Sequence, residues 1–483
     1  MYILAIDQGT TGTRSVLFDR AGKMVASQYK ELTQIYPKPG WVEHDPMEIW
    51  QSVRDTATEL CADYRGKVVA VGITNQRETT VVWDRNTGQP VYNAIVWQCR
   101  RTSAMCAKLA VHEAMFRERT GLPADAYFSG TKIRWILDHI DRPETDDLLF
   151  GTIDSWLIWN LTNGKIHATD FTNASRTLLY NIVEKRWDAE CLRMVGVPES
   201  LLPKVQYSMD DFGQVETIAC LKGVPICGVA GDQQAALFGQ GCVERGSIKN
   251  TYGTGCFVVM NLGDEFQLSA QGLLTTLAIS RQGKPSYAFE GSIFIAGAVI
   301  QWLRDEMRLI DSAADSEEIA RKVTDNNEVY IVPAFVGLGA PHWDMAARGI
   351  ITGLTRGTNR NHIVRAALES IAYQSHDVLQ VMETESGISV QELVVDGGAV
   401  ANNLLMQFQA DIINRPVVRP KVTESTSLGA AYLAGLTAGF WSNLEELRKR
   451  KQIDRRFEPQ MTAPLRRKNL AGWQKALRQA LTK

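Results

Sequence analysis

The chain has 483 residues, 45% of them hydrophobic and 22% charged, with a formal net charge of −2. That length exceeds one ordinary core and predicts two or more domains, and the near-neutral balance excludes a global electrostatic pull toward nucleic acid or an anionic membrane. No apolar stretch is long enough to cross a bilayer, the N-terminal segment does not read as a signal peptide, and the eight scattered cysteines form no Cys-x-x-Cys. The expectation is a cytosolic protein with reduced thiols, not a disulfide or zinc framework.

In chain order, residues 2–6 predict a strand that ends at Asp7. The turn Gln8-Gly9-Thr10-Thr11-Gly12-Thr13 follows, and an apolar run returns to Phe18, which makes a hairpin. The turn's backbone N–H groups and the hydroxyls of Thr10, Thr11 and Thr13 suit an anion such as phosphate. Asp7 beside phosphate oxygens suits a hydrated Mg²⁺. An ordinary polar hairpin turn fits the same pattern. Residues 46–60 read as a helix, with Asp45 as cap and Pro46 at its first position. Residues 68–73, 79–83 and 94–97 read as strands, as does 226–230, which ends in Gly231-Asp232-Gln233-Gln234. Strands alternating with helices predict an α/β fold.

A second Gly/Thr turn, Thr251-Tyr252-Gly253-Thr254-Gly255, lies between strand-like runs half a chain later. One such hairpin opening each half predicts two related domains, 1–241 and 242–483, facing across a cleft; two unrelated turns fit as well. Residues 294–307 and 362–382 have helical spacing. Residues 393–396 read as a strand before the turn Gly397-Gly398-Ala399 and a helix from about Asn402. The basic segment 448–483 reads as a solvated surface helix plus tail.

None of the glycine turns matches G-x-x-x-x-G-K-S/T or a convincing G-x-G-x-x-G, so neither a P-loop nor a dinucleotide fold is expected. What remains is a nucleotide site split between two domains, a plan similar to the actin-like (ribonuclease H-like) sugar-kinase ATPases. Asp232 ends a buried strand, and a carboxylate there can orient a substrate hydroxyl and accept its proton; capping the following helix is an equally simple task for it. Arg77-Glu78 offers donors and acceptors to a polyhydroxy substrate, or forms a surface ion pair. Trp97, Tyr127 and Phe257 serve as apolar walls or as ordinary core.

The stretch Gln34-Ile35-Tyr36-Pro37-Lys38-Pro39-Gly40-Trp41-Val42-Glu43-His44-Asp45 resembles the glycerol kinases of the FGGY carbohydrate kinase family. The resemblance runs through 72–80, 93–102, 150–157, 231–239, 250–257, 301–307 and 396–403, in order. It implies an ATP:glycerol phosphotransferase with two actin-like domains flanking a nucleotide cleft. On it, Asp232 is the catalytic base, and Arg77, Glu78, Tyr127, Asp232 and Gln233 bind the hydroxyls, with Trp97 and Phe257 on the carbon backbone. Thr10, Thr11, Gly12 and Arg14 touch the transferring phosphate, and Asp7 and Asp232 hold Mg²⁺. Gly253 and Thr254 take the β- and γ-phosphates of ATP, and Gly297, Gln301, Gly398 and Asn402 line the nucleotide pocket. A homodimer or homotetramer is implied too. The segments matching the fructose 1,6-bisphosphate loop, the phosphorylated His and the phosphocarrier-docking region all depart from the family pattern. A kinase for another polyol or for a ketose such as xylulose, and an actin-like ATP switch without sugar chemistry, are the rival readings.

Overall fold

Apolar runs without alternation dominate the strands, and in the computed structural model, which describes residues 1–141, 145–450 and 452–482, those strands are covered on both faces. The first sheet holds β1 (Tyr2–Gln8), β2 (Gly12–Phe18), β3 (Met24–Glu31), β4 (Val68–Asn75) and β5 (Ile226–Gly231), in the order β5-β4-β1-β2-β3. β1–β2 and β2–β3 are antiparallel; β4 and β5 join in parallel. The second sheet holds β6 (Ile248–Tyr252), β7 (Cys256–Gly263), β8 (Leu274–Ile279), β9 (Pro285–Ile293), β10 (Leu393–Asp396), β11 (Val417–Pro420) and β12 (Ile453–Phe457), in the order β8-β9-β7-β6-β10-β11-β12. Without its edge strands β8 and β12, it repeats the order and strand directions of the first. The echo between the two Gly/Thr turns is therefore an echo of whole sheets.

The helices that matter to the site are α1 (Pro46–Cys61), α2 (Asp232–Gly239), α3 (Gly297–Asp305), α4 (Arg360–Ser386), α5 (Asn403–Ile413), α6 (Ser425–Thr437) and α7 (Ala463–Ala480). Asp45 caps α1 by accepting from the Met47 N–H at 2.8 Å. Along β1, Leu4 and Ile6 pack with Ile49, Val53 and Ala57 of α1, while Ile3 and Ala5 share the opposite core with Ala430 and Ala434 of α6. A strand covered on both faces reads as a continuous apolar run.

α6 belongs to the second half by sequence and lies on the sheet of the first. A Cβ at Gly72 would meet the Ala430 carbonyl oxygen at 2.2 Å, and one at Gly228 the Ala434 nitrogen at 2.5 Å. α6 also crosses α2 closely: a Cβ at Gly429 would come within 1.8 Å of the Ala235 carbonyl oxygen. The missing side chains let backbone approach backbone, and this contact brings the two halves together.

Three expectations need correction. The helix expected over 294–307 is α3, which starts only at Gly297. The Ala296 and Ala298 N–H groups donate to Thr254 O, and that of Gly297 donates to Gly253 O, at 2.8, 3.1 and 2.9 Å, so tertiary bonds hold the segment that would have formed the first turn. The strands expected at 79–83 and 94–97 shrink to Val81–Asp84 and Ala94–Ile95. Glu78 has a φ of 60° and the Thr79 N–H turns back to Arg77 O at 2.7 Å, which bends the chain out of the sheet. The basic C-terminal segment is not merely a solvated helix and tail. β12 pairs with β11, and Trp473 of α7 is buried, stacked on Tyr373 at 5.2 Å and donating to Asp377 Oδ2 at 2.7 Å. Lys451 and Lys483 of that segment lie outside the described residues.

The α2–α6 crossing carries a prediction. Gly429→Val overpacks a backbone contact and should cost at least about 1–3 kcal/mol, read as a lowered urea midpoint with an unchanged slope; an unchanged midpoint contradicts this packing.

Candidate functional site

The two turns predicted to bind phosphate sit at the tips of hairpins. The first is closed by the Gly9 N–H on Gly12 O at 2.9 Å, the second by the Gly253 N–H on Gly255 O at 2.8 Å. Thr11, Gly253 and Thr254 are exposed, Thr10 and Arg14 partly so, and Gly12 is buried. Gly12 has no room for a side chain, since a Cβ would meet the Tyr29 hydroxyl at 2.5 Å. The N-terminus of α6 reaches across from the second half: Ser427 Oγ donates to Asp7 Oδ2 at 2.9 Å, and Arg14 pairs with Glu424 at 2.5 Å. Asp7, Asp232 and Glu424 make a negative neighbourhood. Burial above all, with Asp232 and Glu424 adding to it, pushes the Asp7 carboxyl up to about 7 against the opposing Ser427 bond and Arg14. A divalent cation would relieve that. No group of three His, Cys, Asp or Glu forms a ready metal cage among the described residues; Mg²⁺ commonly uses one or two carboxylates together with substrate phosphates and water.

Arg77 and Glu78 follow β4 directly and are 3% and 2% exposed, which overturns the surface ion-pair alternative. Arg77 forks onto Glu290 of β9, Nη1 to Oε2 at 2.6 Å and Nη2 to Oε1 at 3.0 Å. Its Nε faces Asp232 Oδ1 at 3.1 Å. Arg176 donates from Nε to Glu78 at 2.6 Å and from Nη2 to Glu290 at 3.1 Å. Burial pushes the Glu290 carboxyl up, but Arg176 and Arg77 outweigh it and hold it at about 2. Glu78 is raised by burial, with the same two arginines opposing.

Asp232 is the first residue of α2. It accepts from the Gln233 N–H at 2.7 Å, yet its side chain remains 32% exposed. The cap residue of α2 is Gly231, with no side-chain cap bond, so the capping alternative for Asp232 does not hold, and its carboxylate is left partly exposed beside Arg77. Gln233 is buried, and its Oε1 accepts from Lys249 Nζ, which also reaches Thr251 Oγ1 at 2.7 Å. With the carbonyl end so occupied, the amide NH₂ of Gln233 is its free end. Trp97, Tyr127 and Phe257 form a wall: Trp97 meets Tyr127 edge-on at 5.6 Å and Phe257 at 6.4 Å, and its indole N–H donates to Thr10 Oγ1 at 2.8 Å. The wall therefore joins the first turn to the second sheet.

The predicted nucleotide residues are more dispersed. Gly297 packs on the second turn, where a Cβ would meet Gly253 O at 2.6 Å. Gly398 opens onto a cleft of about 570 Å³, lined also by Thr251, Asp396, Arg419, Glu424 and Thr426. Asn402 caps α5 through Leu405 N–H at 2.9 Å and donates to Ser316 at 3.3 Å. Gln301 is exposed, one turn into α3 and outside the residues lining that cleft. The fit to a nucleotide rests on open space: a Cβ on Gly398 would meet nothing within 4 Å.

The FGGY carbohydrate kinase N-terminal domain model matches residues 2–239, and the C-terminal domain model matches 248–438. The chain belongs to the FGGY family of carbohydrate kinases. It is 59% identical to a glycerol kinase of Caldanaerobacter subterraneus subsp. tengcongensis and 60% identical to one of Carboxydothermus hydrogenoformans, each over 99% of this chain and 98% of the relative. The crystal structure of Plasmodium falciparum glycerol kinase with ADP superposes with a TM-score of 0.93 at 38% identity, covering 100% of this chain and 98% of that one. A xylulose kinase from Lactobacillus acidophilus shares the fold at a TM-score of 0.87 and 23% identity.

Sequence reading missed Glu290, Arg176, Lys249, Glu424 and Ser427. For Glu290 a signal existed: Tyr287-Ala288-Phe289-Glu290-Gly291 places an acid inside a buried strand, where a charge needs a partner. For the α6 residues there was none, because their partners lie some 400 positions away along the chain.

Beneath the first turn, Gln34 donates to Thr10 O at 2.9 Å and its Oε1 meets His44 Nε2 at 2.9 Å. Burial lowers the His44 pKa from 6.5 to about 4. Between these values the unfolded chain binds the proton and the folded one does not. Stability therefore rises with pH through this window and is lost as pH falls from about 6.5 toward 4. The loss from pH 7 to pH 5 due to His44 should be about 2 kcal/mol. Urea titrations of wild type and His44→Gln at both pH values check it, since the variant should show a smaller drop; equal drops exclude His44 as the cause.

Proposed function

We propose that the chain is an ATP:glycerol phosphotransferase forming sn-glycerol 3-phosphate, with Asp232 as general base. Two observations support it: the full-length likeness to named glycerol kinases, and one partly exposed carboxylate just after β5 that pairs with the Arg77 guanidinium. Arg77, Glu78, Tyr127 and Gln233 orient the three hydroxyls, while Trp97, Tyr127 and Phe257 cover the carbon backbone. The terminal hydroxyl oxygen attacks the γ-phosphorus of ATP, the bond to the ADP oxygen breaks, and the hydroxyl proton passes to Asp232.

Phosphoryl transfer needs positioning and charge compensation more than a strong base. Thr10, Thr11, Gly12 and Arg14 hold the transferring phosphate on one side, Gly253 and Thr254 on the other. Gly297, Gln301, Gly398 and Asn402 line the nucleotide pocket. Asp7 and Asp232 would hold Mg²⁺, which would neutralise phosphate charge. The reading carries two units, 1–241 binding glycerol and 242–483 binding nucleotide, in a cytosolic homodimer or homotetramer.

Coupled ADP release with glycerol is the test. Asp232→Asn should lower kcat by roughly 10²–10⁴-fold, while glycerol still stabilises the folded variant against heat. Full turnover by the variant removes Asp232 from the chemistry. A ketose with a much higher kcat/KM than glycerol, in the same assay, overturns the substrate.

A further inference from the structure

We infer that Glu290 is a positioning residue for the reaction: it takes both terminal nitrogens of Arg77 and so leaves that guanidinium only its Nε to turn toward Asp232. The inference rests on the role proposed for Asp232. The geometry behind it is the bidentate fork of Arg77 on Glu290, at 2.6 and 3.0 Å, against a single contact to Asp232 at 3.1 Å. A guanidinium pairs best through two parallel N–H bonds. Without the Glu290 carboxylate, the anions nearest Arg77 are Asp232 and Glu78, with Glu78 Oε1 3.9 Å from Nε. Its fork would then turn onto Asp232 and occupy the two oxygens the substrate hydroxyl needs.

Glu290 is held in turn. Arg176 donates to the Oε1 that Arg77 Nη2 also uses, at 3.1 Å, and Gln234 accepts from Arg77 Nη1 at 3.2 Å. All three charged side chains are almost wholly buried, so water does not compete with these bonds. Glu290 lies on β9 of the second sheet, whereas Arg77 and Asp232 follow strands of the first. The orientation of Arg77 at the substrate thus depends on the second half being in place.

The experiment compares Glu290→Gln, Glu290→Asp and Asp232→Asn with wild type, reading kcat and KM separately for glycerol and for ATP on folded protein. Glu290→Gln removes the charge at constant size and should lower kcat/KM for glycerol tenfold or more, with KM for ATP within twofold of wild type. Glu290→Asp keeps the charge one methylene short of the fork; it should be the more stable of the two to heat, because Glu290→Gln leaves two buried arginines undercompensated, and the more active. A loss per folded molecule confined to glycerol, with KM for ATP unmoved, is something a merely structural role does not produce. Activity per folded molecule that stays at the wild-type level in Glu290→Gln, or a KM for ATP that rises together with that for glycerol, overturns the inference, as does failure of both to fold. An inactive Asp232→Asn beside a wild-type-like Glu290→Gln overturns the positioning role alone; a fully active Asp232→Asn overturns the base and this role with it.

Discussion

Four charges lie together out of water: Arg77, Arg176, Glu78 and Glu290. Burying one alone costs several kcal/mol, and the cost is offset only when each partner's hydrogen bonds are satisfied in good geometry. Three of the four come from the first half of the chain and one from the second. The set can be buried only if the halves meet at one relative position. The halves also meet where Trp97 joins Thr10 of the first turn to Phe257 of the second sheet, and where Ser427 of α6 reaches Asp7. One nitrogen, Arg176 Nη1, is buried without a partner, so even this set is not perfectly closed.

A second constraint is the packing of α6 on the first sheet. α6 approaches β4, β5 and α2 through Gly72, Gly228 and Gly429, where ordinary side chains would collide with backbone. Close backbone contact of this kind resists sliding, because a shift of even an ångström meets carbonyl oxygens and not compliant side chains. The start of the same helix carries Ser427 and is preceded by Glu424, which reach Asp7 and Arg14. Packing of the helix body therefore sets the electrostatics of the first turn. The Asp7 carboxyl is raised mainly by its burial; of the two α6-segment groups near it, the Ser427 hydroxyl opposes that rise and Glu424 adds to it.

How much of this could be read from sequence depends on whether a contact is local. β1, α1, β5 and the two Gly/Thr turns announce themselves through apolar runs, a capping Asp and glycine punctuation, all short-range features. The start of α3 did not, because Thr254 and Gly253 claim the N–H groups of 296–298 from outside the segment. β12 was missed because its burial pattern is exposed until Phe457, as befits an edge strand. In the site, Arg77, Glu78 and Asp232 follow strand ends and were visible as polar breaks; Glu290 and Lys249 sit within strands and take on meaning only when the two sheets face each other.

The partial exposure of Asp232 completes the physical account. A base buried as deeply as Glu290 and paired bidentately would be held ionised but would have no oxygen to offer. A base left wholly to solvent would give water the same access as an alcohol, and phosphate would be lost to hydrolysis. Asp232, the base on the proposed reading, stands between these limits: one oxygen is engaged by Arg77 Nε and the Gln233 N–H, and the side chain stays partly exposed. The wall of Trp97, Tyr127 and Phe257 is tied to the first turn by the Trp97–Thr10 bond, so the apolar cover over a bound alcohol and the donors around a transferring phosphate move as one unit. On the proposed reading, water exclusion and phosphate positioning are therefore a single mechanical event.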